Sequence, residues 1–159
     1  MRIANKGAAK PTITYAEALD AALCYGWIDG QLKKTEPDSR LQKFTPRRAR
    51  SLWSKRNREY VARLEAAGLM RDPGRAEVDR AKADGRWDAA YDKPSDMEVP
   101  KDFLVRLAQY PEAEAFFKTL NKSNTYAIAW RLQTAKLPAT RERRMHGIIE
   151  LLKQGKKLV

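Results

Sequence analysis

The chain has 159 residues, of which 43% are hydrophobic and 33% are charged. This balance is typical of one folded domain, or of one domain with a small appended part, and excludes a disordered chain. The net charge of +12 favours anionic partners such as nucleic acid, phosphate ligands or acidic membrane surfaces. No apolar run approaches the roughly 20 residues that span a bilayer. The single cysteine excludes an intramolecular disulfide and, with no apolar signal-like start, predicts a cytoplasmic protein.

The first third of the chain predicts a helix followed by two strands. The opening residues MRIAN are apolar enough for a short strand. Thr14 and Glu17 fit a capping box, apolar residues follow at helical spacing, and Gly26 ends the helix. Residues 27–45 then predict two strands around a turn at Pro37-Asp38-Ser39.

The rest of the chain predicts helices. One helix is capped by Ser51 or Ser54 and ends at Gly68, and a second has Asp72 as its cap and Gly85 as its stop. Residues 86–100 contain two prolines and no steady period, which predicts a linker. Four helical patterns follow this linker.

The predicted fold class is therefore α+β, predominantly helical, with a small N-terminal antiparallel sheet and an all-helical C-terminal part. The N-terminal α+β part covers residues 1–92, and the helical C-terminal part covers residues 99–159. The pattern leaves open whether these are two domains or one compact unit.

The most suggestive chemistry lies in FTPRRARSLWSKRN, residues 44–57. From Arg40 to Arg58 there are eight Lys/Arg and no Asp/Glu. Arginine contacts phosphate bidentately and stacks on rings, and polar side chains near a helix N-terminus add donors to an anion. An anionic ligand is predicted to contact Arg47, Arg48, Trp53, Ser54, Lys55 and Asn57, with Trp27, Asp29 and Gln31 in support. The alternative is a solvated basic loop that Trp53 anchors to the core.

The sequence contains no recognisable catalytic or metal-binding pattern. Cys24 and His146 are the only residues of their kinds, and we expect a buried inert thiol and an edge histidine rather than a nucleophilic pair. One cysteine and one histidine cannot form a zinc cluster, and the glycine spacing fits neither phosphate-binding loop. No catalytic residue, metal or cofactor is predicted.

Several sequence segments resemble those of the YdeI/OmpD-associated family, also called bacteriocin-protection proteins, and they occur in the same order as in that family. They are TYAEALDAALCYGWIDGQ, FTPRRARSLWSKRN, GLM, AKADGRWDAAYD and TAKLPATRERR, and the resemblance runs over residues 3–157. It implies a bacterial protein associated with resistance to bacteriocins or antimicrobial peptides, and a helical OmdA-like module at residues 99–159. It carries over no catalytic residues.

The resemblance also bears on the N-terminus. Members of this family commonly carry an additional N-terminal helix and strand, so the chain is expected to be a short or truncated member. Loss of a strand would expose a sheet edge, which predicts a homodimer.

Three functions stay open. The first is a small cytoplasmic binding protein that acts in bacteriocin or envelope-stress tolerance through an anionic ligand or a protein partner. The second is a nucleic-acid-binding protein that uses residues 40–58 and the basic C-terminal helix. The third is an enzyme of unrecognised type, with Asp29 as acid or base.

Overall fold

The computed structural model describes residues 1–5, 7–8, 12–36 and 38–159, without the side chains of residues 34–36. The chain divides into two compact units, Met1–Ala90 and Tyr91–Val159. The described residues form seven helices and one three-stranded antiparallel sheet, which confirms the predicted α+β class.

The elements follow one another in an order close to the prediction. The N-terminal unit contains β1 (Arg2–Ala4), α1 (Tyr15–Cys24), β2 (Trp27–Glu36), β3 (Ser39–Pro46), α2 (Lys55–Ala66) and α3 (Asp72–Ala83). The C-terminal unit contains α4 (Lys101–Leu107), α5 (Pro111–Lys118), α6 (Lys122–Gln133) and α7 (Pro138–Lys153). No helix among the described residues is both long and apolar enough to cross a membrane.

The sheet has the order β1-β3-β2, so β2 is an edge strand. Asp29 pairs with Phe44, but Leu32 pairs with Gln42. Two residues of β2 therefore face one residue of β3, which is a β-bulge that re-aims the side chains around it. Of the predicted turn between β2 and β3, Pro37 lies outside the described residues.

The caps of α1 and α2 agree with the sequence. The Thr14 hydroxyl accepts from the Glu17 amide at 3.2 Å, and the Glu17 carboxylate accepts from the Thr14 amide at 2.8 Å, which completes the predicted capping box. Ser54 caps α2 by accepting from the Asn57 amide at 3.1 Å. The turn after α1 requires glycine, since Gly26 has a φ of 74°, in the left-handed region that other residues rarely adopt.

The predicted cap of α3 was wrong. Arg71 is the N-cap residue, and Asp72 and Pro73 are already helical. The physical reason is a tertiary hydrogen bond, because the Arg71 amide donates to the Cys24 carbonyl at 3.1 Å and holds residue 71 extended. Proline is tolerated in the first turn because its missing N–H would have no helical partner there.

Each unit has its own hydrophobic core. In the N-terminal unit the core is built by side chains from α1, α2 and α3 together with Trp53 and with Met70, which lies between α2 and α3. The helical core residues include Leu19, Leu23, Val61, Leu64 and Val78. In this unit α3 begins directly against the end of α1, where a Cβ on Gly74 would lie 2.2 Å from the Cys24 carbonyl oxygen. The core of the C-terminal unit is formed by α4–α7, with Phe103, Leu107, Ile128, Leu132, Ile149 and Leu152 fully buried or nearly so.

Candidate anion site

One cavity of the N-terminal unit lies on the face of the sheet around the β-bulge. It has a volume of about 310 Å³ and is lined by Gly30, Gln31, Lys43, Thr45, Pro46, Arg48 and Ser51. We call it the sheet-face cavity. Lys43 and Thr45 are two residues apart on β3 and therefore point to the same face. Phe44, between them, packs against the core on the other face.

The lining of the sheet-face cavity is basic and rich in hydrogen-bond donors. Lys43 and Arg48 are exposed, and no ion pair among the described residues involves either side chain. The described lining residues include no carboxylate. The Ser51 hydroxyl accepts from the Arg48 amide at 3.0 Å and can still donate outward. Together these groups can neutralise and hydrogen-bond a small anion.

Arg47 and Trp53, both predicted to contact the ligand, lie instead in the protein interior. Arg47 is 5% exposed and Trp53 is 2% exposed. The guanidinium carbon of Arg47 lies 3.5 Å from the Trp53 ring centroid, and its Nη1 donates to the Leu52 carbonyl at 3.1 Å. The Trp53 ring in turn contacts the Trp87 ring edge-on at 4.9 Å. This pair anchors the loop that follows β3 to the core.

Ser54, Lys55 and Asn57 do not line the sheet-face cavity either. Ser54 and Asn57 are buried and form the cap of α2. Lys55 is exposed and lines a different cavity of about 460 Å³ with Arg58, Glu59, Ala62 and Trp87.

Asp29 and Trp27 have separate environments. Asp29 accepts a hydrogen bond from the Tyr15 hydroxyl at 2.8 Å. Burial, and then this hydrogen bond, raise the pKa of Tyr15 well above its ordinary value. Arg56 lies 6.0 Å from the Tyr15 ring and donates to the Tyr60 hydroxyl at 3.0 Å. A proton-transfer role for Asp29 stays a prediction. Trp27 is 42% exposed.

The structure thus brings two predicted residues, Gln31 and Arg48, into one cavity. Lys43, Thr45 and Ser51 line it as well, and sequence reasoning missed all three as site residues. The available signal was the period of two along the predicted strand, which places Lys43 and Thr45 on one side. The β-bulge that brings Gln31 to that side had no signal in the sequence.

The structure also describes the surroundings of the single cysteine and of the potential metal ligands. Cys24 is buried in the N-terminal core, and burial raises the pKa of its thiol, which disfavours the reactive thiolate. The part of the chain that the structure describes contains no group of three or more His, Cys, Asp or Glu side chains that could hold a metal ion.

Two family models match the chain. Residues 96–155 match the family described as Bacteriocin-protection, YdeI or OmpD-Associated. Residues 1–77 match a domain of unknown function, DUF8412. This range includes the GWIDGQ and FTPRR segments. No curated protein and no solved structure matches the chain.

Proposed function

We propose that this protein is a small bacterial binding protein for an anionic ligand. The resemblance predicted an OmdA-like module at residues 99–159, and residues 96–155 match that family model. The proposed site is the sheet-face cavity of the N-terminal unit. One observation carries the proposal: the exposed cations Lys43 and Arg48 converge with Gln31, Thr45 and Ser51 on a cavity whose described lining contains no carboxylate.

The physical properties of this cavity favour a small, highly charged ligand. Its volume of about 310 Å³ is at the lower end of the roughly 300–1,000 Å³ typical of ligand sites. Lys43 and Arg48 are both solvent-exposed, so the protein without ligand does not bear the cost of burying these two charges. The net charge of +12 would attract an anion over a longer range and would make binding weaker at high salt.

Calorimetric titration with pyrophosphate tests this site. Lys43→Gln and Arg48→Gln are each expected to weaken binding by about tenfold, because each removes a charge-assisted hydrogen bond. Arg50→Gln is the matched control, since Arg50 is an exposed arginine of the same loop that does not line the cavity. Equal losses in all three variants would mean that pyrophosphate binds diffusely, and the proposed site would be wrong.

The cellular role we propose is tolerance of bacteriocins, antimicrobial peptides or envelope stress, exerted from the cytoplasm through the anionic ligand or a protein partner. The words Bacteriocin-protection in the description of the family matched by residues 96–155 support the bacteriocin part of this role. In a strain that lacks the gene, wild-type protein should restore survival in antimicrobial peptide, and the Lys43→Gln/Arg48→Gln double variant should not. If the double variant also restores survival, the cellular role does not depend on the sheet-face cavity. Cell fractionation tests the compartment.

A second candidate is binding of single-stranded nucleic acid. Its supporting observation is that two aromatic residues close in sequence to the β2–β3 cations are exposed. Tyr25, the C-cap residue of α1, is 55% exposed, and Trp27, the first residue of β2, is 42% exposed. Exposed rings and a basic surface are the two components of stacking platforms for single strands. Affinity for an oligonucleotide should then fall steeply with salt, and Trp27→Ala should weaken it. Absence of binding at low salt would exclude this candidate.

Self-association through β2 is also proposed. β2 lies at the edge of the sheet, and Leu32 on this strand is 53% exposed. Pairing of two such edges would satisfy backbone groups that otherwise face solvent. Light scattering should then show a dimer that dissociates on dilution or in Leu32→Lys, whereas a monomer at all concentrations would contradict the proposal.

A further inference from the structure

The C-terminal unit carries a second basic cavity, remote in sequence from the sheet-face cavity. It has a volume of about 210 Å³ and is lined by Arg131, Arg143, Arg144, Gly147, Ile148, Leu151 and Leu158. We call it the α6–α7 cavity. Residues 143, 144, 147, 148 and 151 recur at helical spacing and so share one face of α7. The chain after α7 brings the partly buried Leu158 back against the same core.

The polar and apolar groups in this cavity complement an amphiphilic anion. The partly buried Leu151 and Leu158 supply apolar surface beside the buried Ile148, and three arginines supply positive charge. Arg144 Nη1 donates to the Arg131 carbonyl at 2.7 Å, which holds Arg144 at the C-terminal end of α6. The side chains of Arg131 and Arg143 have no ion pair or hydrogen bond among the described residues. Two guanidinium groups are therefore available to a ligand.

Gly147 provides an independent observation. It lies inside α7, where glycine destabilises a helix relative to alanine. No backbone contact requires it, because a Cβ at this position would meet nothing within 4 Å. Its φ is not in the left-handed region. The structural consequence of glycine here is open space at the α6–α7 cavity, between arginines and apolar side chains.

We propose that the α6–α7 cavity binds a small amphiphilic anion, with a phosphate or carboxylate head group held by Arg131 and Arg143 and a short alkyl chain against Ile148, Leu151 and Leu158. The volume of about 210 Å³ is below the roughly 300–1,000 Å³ of ordinary ligand sites. A head group with a few methylene groups is therefore the size of ligand that fits. This site is independent of the proposed function of the N-terminal unit.

Hexyl phosphate, added to the full-length protein labelled with ¹⁵N, tests the proposal by NMR. The amides of Gly147 and Leu151 report on this cavity and the amide of Gly30 reports on the sheet-face cavity, so the two sites are read separately. We expect saturable shifts at Gly147 and Leu151. Inorganic phosphate and hexanol, which each supply half of the ligand, should bind at least about tenfold more weakly. Comparable binding of inorganic phosphate would contradict the apolar part of the site.

The variants distinguish the site from general attraction to a basic protein. Arg131→Gln and Arg143→Gln should each weaken binding by about tenfold, because each removes a charge-assisted hydrogen bond. Lys122→Gln removes an equal charge from the opposite end of α6 and should leave binding unchanged. An equal loss in Lys122→Gln would mean that only net charge matters, and the proposal would be wrong.

Gly147 offers a blocking variant that is not expected to unfold the protein. Gly147→Leu should fill the cavity and abolish binding while the melting temperature stays the same or rises, since leucine favours the helix. Gly147→Ala is its control and should retain binding. Wild-type affinity in a folded Gly147→Leu protein would overturn the proposal.

Vesicles that contain phosphatidic acid separate the two sources of such a head group. Vesicle binding that Gly147→Leu abolishes would assign the site to a membrane lipid, and hexyl phosphate binding without vesicle binding would assign it to a free amphiphile. Vesicle binding that persists in Gly147→Leu, with no shift at Gly147 in wild type, would overturn the site.

Discussion

Replacement of Arg47 by alanine should destabilise the N-terminal unit without acting on the ligand site directly. The Arg47 guanidinium lies 3.5 Å from the Trp53 ring centroid and donates to the Leu52 carbonyl. A desolvated cation–π contact contributes about 2 kcal/mol, and a hydrogen bond from a charged donor contributes about 1.5–3 kcal/mol. Relief of the cost of burying the charge offsets part of this loss. We therefore expect the free energy of unfolding to fall by about 2–4 kcal/mol.

The neighbouring residue supplies the control for this prediction. Arg48 carries the same side chain one position later but is exposed, so Arg48→Ala should change the free energy of unfolding by less than about 0.5 kcal/mol. The assay is urea unfolding of both variants, followed by tryptophan fluorescence. If Arg47→Ala is as stable as wild type and abolishes pyrophosphate binding, Arg47 is a ligand residue and the structural role given to it here is wrong.

Three further predictions concern α1, which precedes β2 in the chain, and the contact between the end of α1 and the start of α3. Gly74→Ala should destabilise the protein by about 1–3 kcal/mol or more in thermal unfolding, because its Cβ would lie 2.2 Å from the Cys24 carbonyl oxygen; wild-type stability would contradict this close approach. Thr14→Ala should cost about 1 kcal/mol by loss of the capping box, and an unchanged melting temperature would contradict that. The pKa of Tyr15 is raised from its ordinary 10.0 by burial and by its bond to Asp29, so the native state keeps a proton that the unfolded state loses. This contribution is full below about pH 10 and is lost as the pH rises further. The stability difference between wild type and Tyr15→Phe should therefore shrink on going from about pH 9 to about pH 11, and a difference independent of pH would contradict the raised pKa.

Local sequence signals predicted most of the fold. The structure confirms the capping box at Thr14 and the glycine at Gly26. The sequence left the cap of α2 open between Ser51 and Ser54, and the structure has Ser54. These features depend on residues that are close in the chain. The cap of α3 was mispredicted because it depends on a hydrogen bond between Arg71 and Cys24, which are far apart in sequence.

The candidate site was less predictable for the same reason. The density of arginines indicated a basic surface correctly, but charge alone does not tell which arginine is buried. Arg47 and Arg48 are adjacent and chemically identical, but Arg47 is buried against the Trp53 ring and donates to the Leu52 carbonyl, whereas Arg48 is exposed. Gln31 reaches the cavity through a β-bulge, which is a property of strand pairing and not of either strand alone.

The most direct test of anion binding at the sheet-face cavity is an NMR titration of the ¹⁵N-labelled protein with pyrophosphate. We predict saturable shifts that are largest at the amides lining the cavity: Gly30, Gln31, Lys43, Thr45, Arg48 and Ser51. These shifts should be absent in Lys43→Gln/Arg48→Gln. Shifts that spread over the basic surface without saturating, or that leave this group of amides unmoved, would contradict the proposed function.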